Sequence, residues 1–400
     1  DLELQLQPSF TLTKRQMSSV LRLRSSQAPL SSALSLISPG LGHARMLNLR
    51  YPGHSSALSG SPAPSSSQQQ QQRHPQRHFS TSTDKRTGHI SGPHSGIETT
   101  DPKEKFACRL FDRLWDRYRD RVEYVQTYES IVLDKGATFF NDHIALRTIA
   151  LQDSRTGIAS ISRLFEALGY RGAECYNFED KHLSAIYLQH PHPKLPKLFI
   201  SELRTWELSE SSSYLIRRTL SSHNPEHVSD QLLRRLYSLG STPLTEADGT
   251  DLLNQAASCL ESPQWLPPDL EDLKQVHQES QYGAWVMVHG YNVNHFTSLI
   301  NSHKVKELDN IEKTVQALKD RNVPMKASIE GDVGTSLRQT ATEAVNIDVE
   351  VTVNGVPATT QWPYAYFELA QRDAVNGTPR YEGFKSTQAT HLFEMTKGKS

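Results

Sequence analysis

Acidic residues are missing from the start of this chain: none lies between Glu3 and Asp84. Long apolar runs are missing throughout. No stretch reaches the roughly 18 apolar residues that a membrane-spanning helix needs, so no membrane insertion is expected. Neither sign of charge is in surplus. Lys+Arg number 43 and Asp+Glu 44, a net charge of −1, which removes the electrostatic case for binding nucleic acid or an anionic membrane. Cysteine is scarce. Cys108, Cys175 and Cys259 lie far apart, with neither a CxxC pair nor zinc-finger spacing. A reduced, intracellular chain without a disulfide framework is expected. Also lacking are a phosphate-cradling GxGxxG, a Walker lysine and a GxSxG turn, which excludes the commonest nucleotide-binding and serine-hydrolase signatures.

What stands in place of acid at the N-terminus is Lys14, Arg15, Arg22, Arg24, Arg45, Arg50, Arg73 and Arg77 among many serines. This composition predicts a disordered presequence and low-complexity linker over residues 1–100. Residues 18–36 allow a basic amphipathic helix. Arg77-His78-Phe79-Ser80-Thr81-Ser82 resembles the cleavage signal of mitochondrial precursors that are trimmed twice, ending near Arg86 or Thr87. The expectation is a mitochondrial (matrix) address, with plastid or cytoplasm as the alternatives. An ordinary disordered extension would have the same composition.

From residue 103 onward the pattern is that of folded protein. Phe106, Leu110, Leu114, Tyr118, Val122 and Val125 recur at helical spacing, predicting a helix over 103–133. A strand over 137–150 follows, then a helix over 157–168 with Ile161, Leu164, Phe165 and Leu168 on one stripe. Strand-like runs at 174–178, 183–189 and 197–203 complete a βαβββ order. Residues 206–281 are leucine-rich with little β-branching and read as a helical insert. The first pattern then returns: a strand over 284–289, a helix over 305–321, and strand-like runs at 327–329, 345–353 and 362–369. Asn354-Gly355 is a hairpin turn signal. The repeat is one of order, not of letters. It predicts an α+β catalytic domain over 103–397, with halves at 137–204 and 284–397.

The chemistry-bearing stretch is Asn141-Asp142-His143-Ile144-Ala145-Leu146-Arg147-Thr148. On a strand, His143 and Arg147 share one face, with Ile144 and Leu146 on the other. The imidazole can hold a metal, and the planar guanidinium can clamp a carboxylate. The plain alternative is an edge strand with two solvated polar groups. His289, which alternates with Trp285 and Met287, can face a metal too, but packing against neighbours is the stronger expectation. His303, His190 and His192 are expected in solvent. Arg338 and Arg372 are expected in surface ion pairs.

Two βαβββ halves side by side resemble the vicinal-oxygen-chelate superfamily. Tyr366-Phe367-Glu368-Leu369-Ala370-Gln371-Arg372 resembles the stretch that carries the carboxylate ligand in 4-hydroxyphenylpyruvate dioxygenases. Together with the His143 strand, Gly290-Tyr291-Asn292-Val293-Asn294-His295-Phe296-Thr297, Gly383-Phe384 and Leu392-Phe393-Glu394, these motifs are similar to the 2-oxoadipate dioxygenase/decarboxylase family over residues 103–397. The resemblance implies vicinal-oxygen-chelate-like curled sheets and a single Fe(II) on His143, His295 and Glu368. It also implies that Arg147 grips substrate and serves catalysis, with Lys385 and Ser386 shaping the substrate site. The implied partners are O₂ and a 2-oxo dicarboxylic acid. The implied reaction takes 2-oxoadipate, which arises in lysine breakdown, to 2-hydroxyglutarate and CO₂. Alternatives on the same fold are an aryl-pyruvate dioxygenase, a glyoxalase-type isomerase and a non-catalytic metabolite-binding or development protein.

Overall fold

The computed structural model describes residues 92–386 and Phe393. Of the predicted presequence and linker, residues 1–91 lie outside the described residues, whereas residues 92–100 pack on the fold: His94 is buried with Nδ1 2.8 Å from Asp112 Oδ1, and Ile97 is buried in the core. The first long helical pattern forms two helices, α1 (Pro102–Arg121) and α2 (Glu123–Asp134), broken at Val122. Asp101 starts α1 by accepting from the backbone of Lys103 and Glu104, and Pro102 follows at the first turn, where no amide partner is needed. All six residues of the predicted stripe are buried. Trp115, also buried on α1, meets the Phe296 ring edge-on at 5.0 Å, directly behind the strand that will carry a site histidine.

The first half follows the expected order: β1 (Asn141–Ala150), α3 (Gly157–Glu166), β2 (Arg171–Phe178), β3 (Leu183–Gln189) and β4 (Lys197–Arg204). Strand β1 pairs parallel with β4, and β3 runs antiparallel between β4 and β2. The α3 stripe is buried as the periodicity predicts. Gly157 opens α3 at φ +69, and a Cβ there would stand 2.4 Å from the Glu202 carboxylate. That carboxylate caps the helix by accepting from the Ile158 amide at 2.8 Å.

The leucine-rich stretch folds into α4 (Glu210–Thr219), α5 (Asp230–Tyr237), α6 (Glu246–Glu261) and α7 (Leu270–Glu279). It is tied to α1 by Arg113, whose guanidinium donates to both Glu261 oxygens at 2.7 and 2.8 Å.

The second half departs from expectation at its first element. Residues 284–289 are not a strand but the end of a helix, α8 (Gln281–His289). Every residue from Tyr282 to His289 is buried, so apolar character surrounds the helix and no period separates it from a buried strand. The punctuation was the better signal. Ser280 caps the N-terminus, and Gly290 at φ +66 ends the helix. A Cβ at Gly290 would stand 2.5 Å from the Pro263 Cα, so the close crossing also demands glycine.

The true first strand is β5 (Val293–Leu299). After it come α9 (Ile311–Lys319), shorter than predicted, then β6 (Leu337–Ala341), β7 (Asn346–Val353), β8 (Val356–Pro363) and β9 (Glu368–Arg372). Strand β6 was not predicted because Arg338-Gln339-Thr340 carries no apolar alternation. The run at 362–369 divides: Pro363 closes β8 and Glu368 opens β9. Asn354 and Gly355, at φ 51 and 76, make the predicted turn of the β7–β8 hairpin, which stands apart from the main sheet.

The main sheet has the order β2-β3-β4-β1-β5-β9-β6. The two halves join through antiparallel β1–β5 pairing, and each central strand has a parallel partner outside it, β4 and β9 respectively. This is the expected plan of two curled βαβββ-type halves, with the β7–β8 hairpin inserted in the second. It sets the first strand of each half and the last strand of the second side by side.

Candidate metal centre

Cross-strand register does the first part of the work. His143 on β1 lies opposite Thr297 on β5, and Thr297 lies opposite Glu368 on β9. His295 is two residues from Thr297 and therefore on the same face. The three side chains meet: His143 Nε2 is 3.3 Å from His295 Nε2 and 3.7 Å from Glu368 Oε2, and His295 Nε2 is 2.9 Å from that oxygen. All three residues are buried, and their ligand atoms lie within 4.8 Å of one another. The Thr297 hydroxyl sits among them, 3.0 Å from His143 Nε2 and 3.3 Å from Glu368 Oε2.

Two bulges aim the imidazoles. In β1, Asp142 is an extra residue between the pairs Asn141–Ser298 and His143–Thr297. In β5, Asn294 is an extra residue between Ala145–His295 and Leu146–Val293. Each extra residue swings its side chain toward the histidine that follows it. Asp142 Oδ2 is 2.9 Å from His143 Nδ1, and Asn294 Oδ1 is 3.0 Å from His295 Nδ1. An acceptor at Nδ1 places the ring proton there and leaves the Nε2 lone pair facing inward, the tautomer a metal requires. Neither Asp142 nor Asn294 was assigned a role from sequence, although an Asx residue before histidine in both halves was the available signal.

Asp142 is itself held. Arg372 donates to its two oxygens at 2.6 and 2.9 Å, and Lys197 stands 3.8 Å away. Burial would push the Asp142 carboxyl up, but Arg372, Lys197 and His143 outweigh it and hold it well below the usual carboxylate range. Arg372, expected in a surface pair, is thus fully buried. Its remaining nitrogen donates to the carbonyls of Tyr381 and Gly383 at 3.0 and 2.8 Å. At Glu368, burial is likewise outweighed by His295 and His143, which keep the carboxyl below its ordinary value. His295 moves down because burial dominates the pull of Glu368.

The ligand atoms face a pocket enclosing about 450 Å³ with its opening to solvent counted in, whose wall also includes Arg147, Ser201, Gln339, Tyr366, Phe384 and Lys385. Arg147 is buried, stacked 5.1 Å from the Tyr282 ring and 5.2 Å from the Trp285 ring, and it donates to the Phe393 carbonyl at 3.2 Å. Tyr366 stacks on His295 at 4.7 Å, and Phe384 meets His143 edge-on at 4.9 Å. Arg147 and Lys385 therefore share a cavity with the three ligand residues. Ser386 is exposed and does not line it.

The other histidines lie elsewhere. His289 on α8 packs beneath the hairpin, with Nε2 2.9 Å from the Pro363 carbonyl, and burial pushes its pKa down to about 3. His303, expected in solvent, is buried, with Nε2 2.6 Å from the Tyr128 hydroxyl and Nδ1 2.8 Å from the Leu308 carbonyl. His190 is also buried, accepting from the His192 amide at 3.0 Å. Both were misplaced because a polar letter in a loop does not reveal a long-range partner. Arg338 pairs with Glu312 at 2.6 Å, and Glu382 with Lys197 at 2.6 Å.

The donor set fits a metal ion. Two buried imidazoles with inward Nε2 atoms and one buried carboxylate converge, and Glu368 Oε1 has no hydrogen-bond partner among the described residues. Such a set, with room left in the cavity, suits a divalent transition metal that keeps open positions.

Comparison with known proteins agrees with this geometry. The family model described as 2-oxoadipate dioxygenase/decarboxylase matches residues 110–396. A rice relative, the chloroplastic/amyloplastic 2-oxoadipate dioxygenase/decarboxylase of Oryza sativa subsp. japonica, is 26% identical over 301 residues, covering 69% of this chain and 72% of the relative. The chloroplastic protein of that name from Arabidopsis thaliana is 28% identical over 284 residues, covering 64% of this chain and 67% of its own length. The crystal structure of hydroxyglutarate synthase in complex with 2-oxoadipate from Oryza sativa superposes with a TM-score of 0.60 at 23% identity, covering 76% of this chain and 95% of that one. The plant names correct the mitochondrial expectation: both relatives are chloroplastic. A basic, serine-rich, acid-poor leader is common to precursors of both organelles, so composition does not distinguish them.

Proposed function

The chain belongs to the 2-oxoadipate dioxygenase/decarboxylase family, and from that premise we propose that it converts 2-oxoadipate and O₂ to 2-hydroxyglutarate and CO₂, using Fe(II). The observation that carries this reading is the convergence of His143, His295 and Glu368 on the cavity that also holds the buried guanidinium of Arg147. The two oxygen atoms of O₂ account for the balance: one enters the new carboxylate and the other the new hydroxyl. No second 2-oxo acid is consumed.

Held by His143, His295 and Glu368, Fe(II) would offer open positions to the 2-oxo acid and O₂ and relay to O₂ the electrons that the substrate gives up on decarboxylation and hydroxylation. The protein supplies orientation. Asp142 and Asn294 keep both imidazoles in the ligating tautomer. Arg372 fixes Asp142 and, through the Tyr381 and Gly383 carbonyls, anchors the segment that brings Phe384 and Lys385 to the cavity wall. Arg147 grips the distal carboxylate and sets the position of the carbon to be hydroxylated. Phe199, Phe384 and Leu146 keep the surroundings of the reacting end apolar.

The test is oxygen uptake by protein loaded anaerobically with Fe(II), over a panel of 2-oxo acids, with products identified by mass. Uptake with 2-oxoadipate, one CO₂ released and 2-hydroxyglutarate formed is expected. Metal-loaded protein that consumes no O₂ with 2-oxoadipate would overturn the reading.

A further inference from the structure

The two bulge residues occupy equivalent places, yet one is an acid and the other an amide. Asp142 has its carboxylate engaged by His143, Arg372 and Lys197. Asn294 differs. Its Oδ1 accepts from His295 Nδ1, as the ligating tautomer of His295 demands, and this fixes which end of the amide is the nitrogen. That nitrogen, Nδ2, is buried and has no hydrogen-bond partner among the described residues. Asn294 lines the cavity beside His295, on β5, which pairs with the strand β1 that carries Arg147. A buried donor left unmade is costly, and an aspartate would orient His295 at least as well without that cost. What an aspartate would lack is a donor, and it would add a negative charge where an anionic substrate binds.

Building on the metal and substrate reading above, we propose that Asn294 Nδ2 donates a hydrogen bond to an oxygen at the 2-oxo-carboxylate end of the bound substrate. Asn294 thus has two functions on its two amide atoms: Oδ1 orients a ligand histidine and Nδ2 holds the end of the substrate beside it. Arg147 acts on the other carboxylate, so the two contacts are separable by substrate. A 2-oxo monocarboxylate of equal length keeps the Asn294 contact and lacks the distal one.

The test uses full-length protein and two variants. Asn294→Asp keeps the acceptor and loses the donor; Asn294→Leu loses both without adding charge. Fe(II) affinity is measured first, then anaerobic binding of 2-oxoadipate and 2-oxohexanoate at saturating Fe(II), read from the visible absorbance of the metal–2-oxo-acid chelate. Asn294→Asp should bind Fe(II) within about two-fold of the parent, while Asn294→Leu should bind it more weakly. Both should bind both 2-oxo acids about 10- to 100-fold more weakly, the range of a hydrogen bond to a charged group. If either saturated variant binds 2-oxoadipate as tightly as the parent, Nδ2 does not touch substrate and the proposal fails. If the parent itself, fully loaded with Fe(II), binds no 2-oxoadipate, the substrate reading falls, and this proposal with it.

Discussion

At the scale of single residues, the centre depends on three ligand atoms and on the groups that aim them. His143→Ala, His295→Ala and Glu368→Ala should each lose bound iron, measured by elemental analysis after anaerobic loading, while circular dichroism shows the fold retained. His289→Ala is the control and should keep its iron, because its Nε2 faces the Pro363 carbonyl and not the ligand set. Normal iron content in any of the three ligand variants would remove that residue from the assignment. For Arg147, substitution by lysine retains charge but loses the planar fork and its stacking on Tyr282 and Trp285. Arg147→Lys should lose about 1.5–3 kcal/mol in kcat/KM on 2-oxoadipate, the value of a charged hydrogen bond. On 2-oxohexanoate the loss should be slight. Equal losses on the two acids would show that Arg147 does not read the distal carboxylate.

At the scale of elements, two contacts fix how neighbouring elements meet. The first is Arg372 on β9 against Asp142 on β1, a pair 230 residues apart in sequence and buried on both sides. Removing Arg372 strips the buried Asp142 carboxylate of its bidentate partner and leaves it only His143 and the more distant Lys197. Arg372→Leu should therefore destabilise by roughly 3–5 kcal/mol in urea unfolding. The double variant with Asp142→Leu should be more stable than the sum of the two single changes, since it removes the unpaired charge as well. Strict additivity would show that the pair is not coupled. The second is Gly290, where α8 ends and the chain turns into β5. Its positive φ and the Pro263 backbone behind it forbid a side chain. Gly290→Ala should lower stability by more than about 1 kcal/mol. A melting temperature equal to the parent's would mean that the crossing relaxes freely.

At the scale of the whole molecule, buried neutral histidines make the fold sensitive to acid. Burial holds His289 at about 3 and His227 at about 4, against an ordinary value near 6.5. Between those values and 6.5 the unfolded chain binds protons that the native state refuses, so acidification favours unfolding. The stability linked to these groups is complete above about pH 6.5 and is lost as pH falls towards the native values. His289→Phe removes one such group along with its hydrogen bond. It should be less stable than the parent at pH 7.5, and the gap should narrow by about 2 kcal/mol at pH 5, at 1.36 kcal/mol per unit. A gap independent of pH would show that His289 does not titrate with unfolding.

What the amino-acid order determined alone was local. The stripes of α1 and α3, the two-residue alternation that put His143 and Arg147 on one face, and the Asn354-Gly355 turn follow from backbone periods that need no distant partner. The family motifs around His143, His295 and Glu368 were legible for the same reason, since each is a short run. Tertiary structure decided the rest. Residues 281–289 are apolar on all sides, which leaves no period to separate a buried helix from a buried strand; the Ser280 cap and the Gly290 stop mark the helix locally, and packing beneath the β7–β8 hairpin buries it. Asp142 and Asn294 became orienting groups through bulges, which are a property of how β1 pairs with β5 and not of either strand. Gln339 and Arg372 reached the site on β6 and β9, and Tyr366 on the stretch leading into β9, by a pairing that no local pattern announces. Side-chain period is set within a strand, but register is set between strands, and the site is built from register.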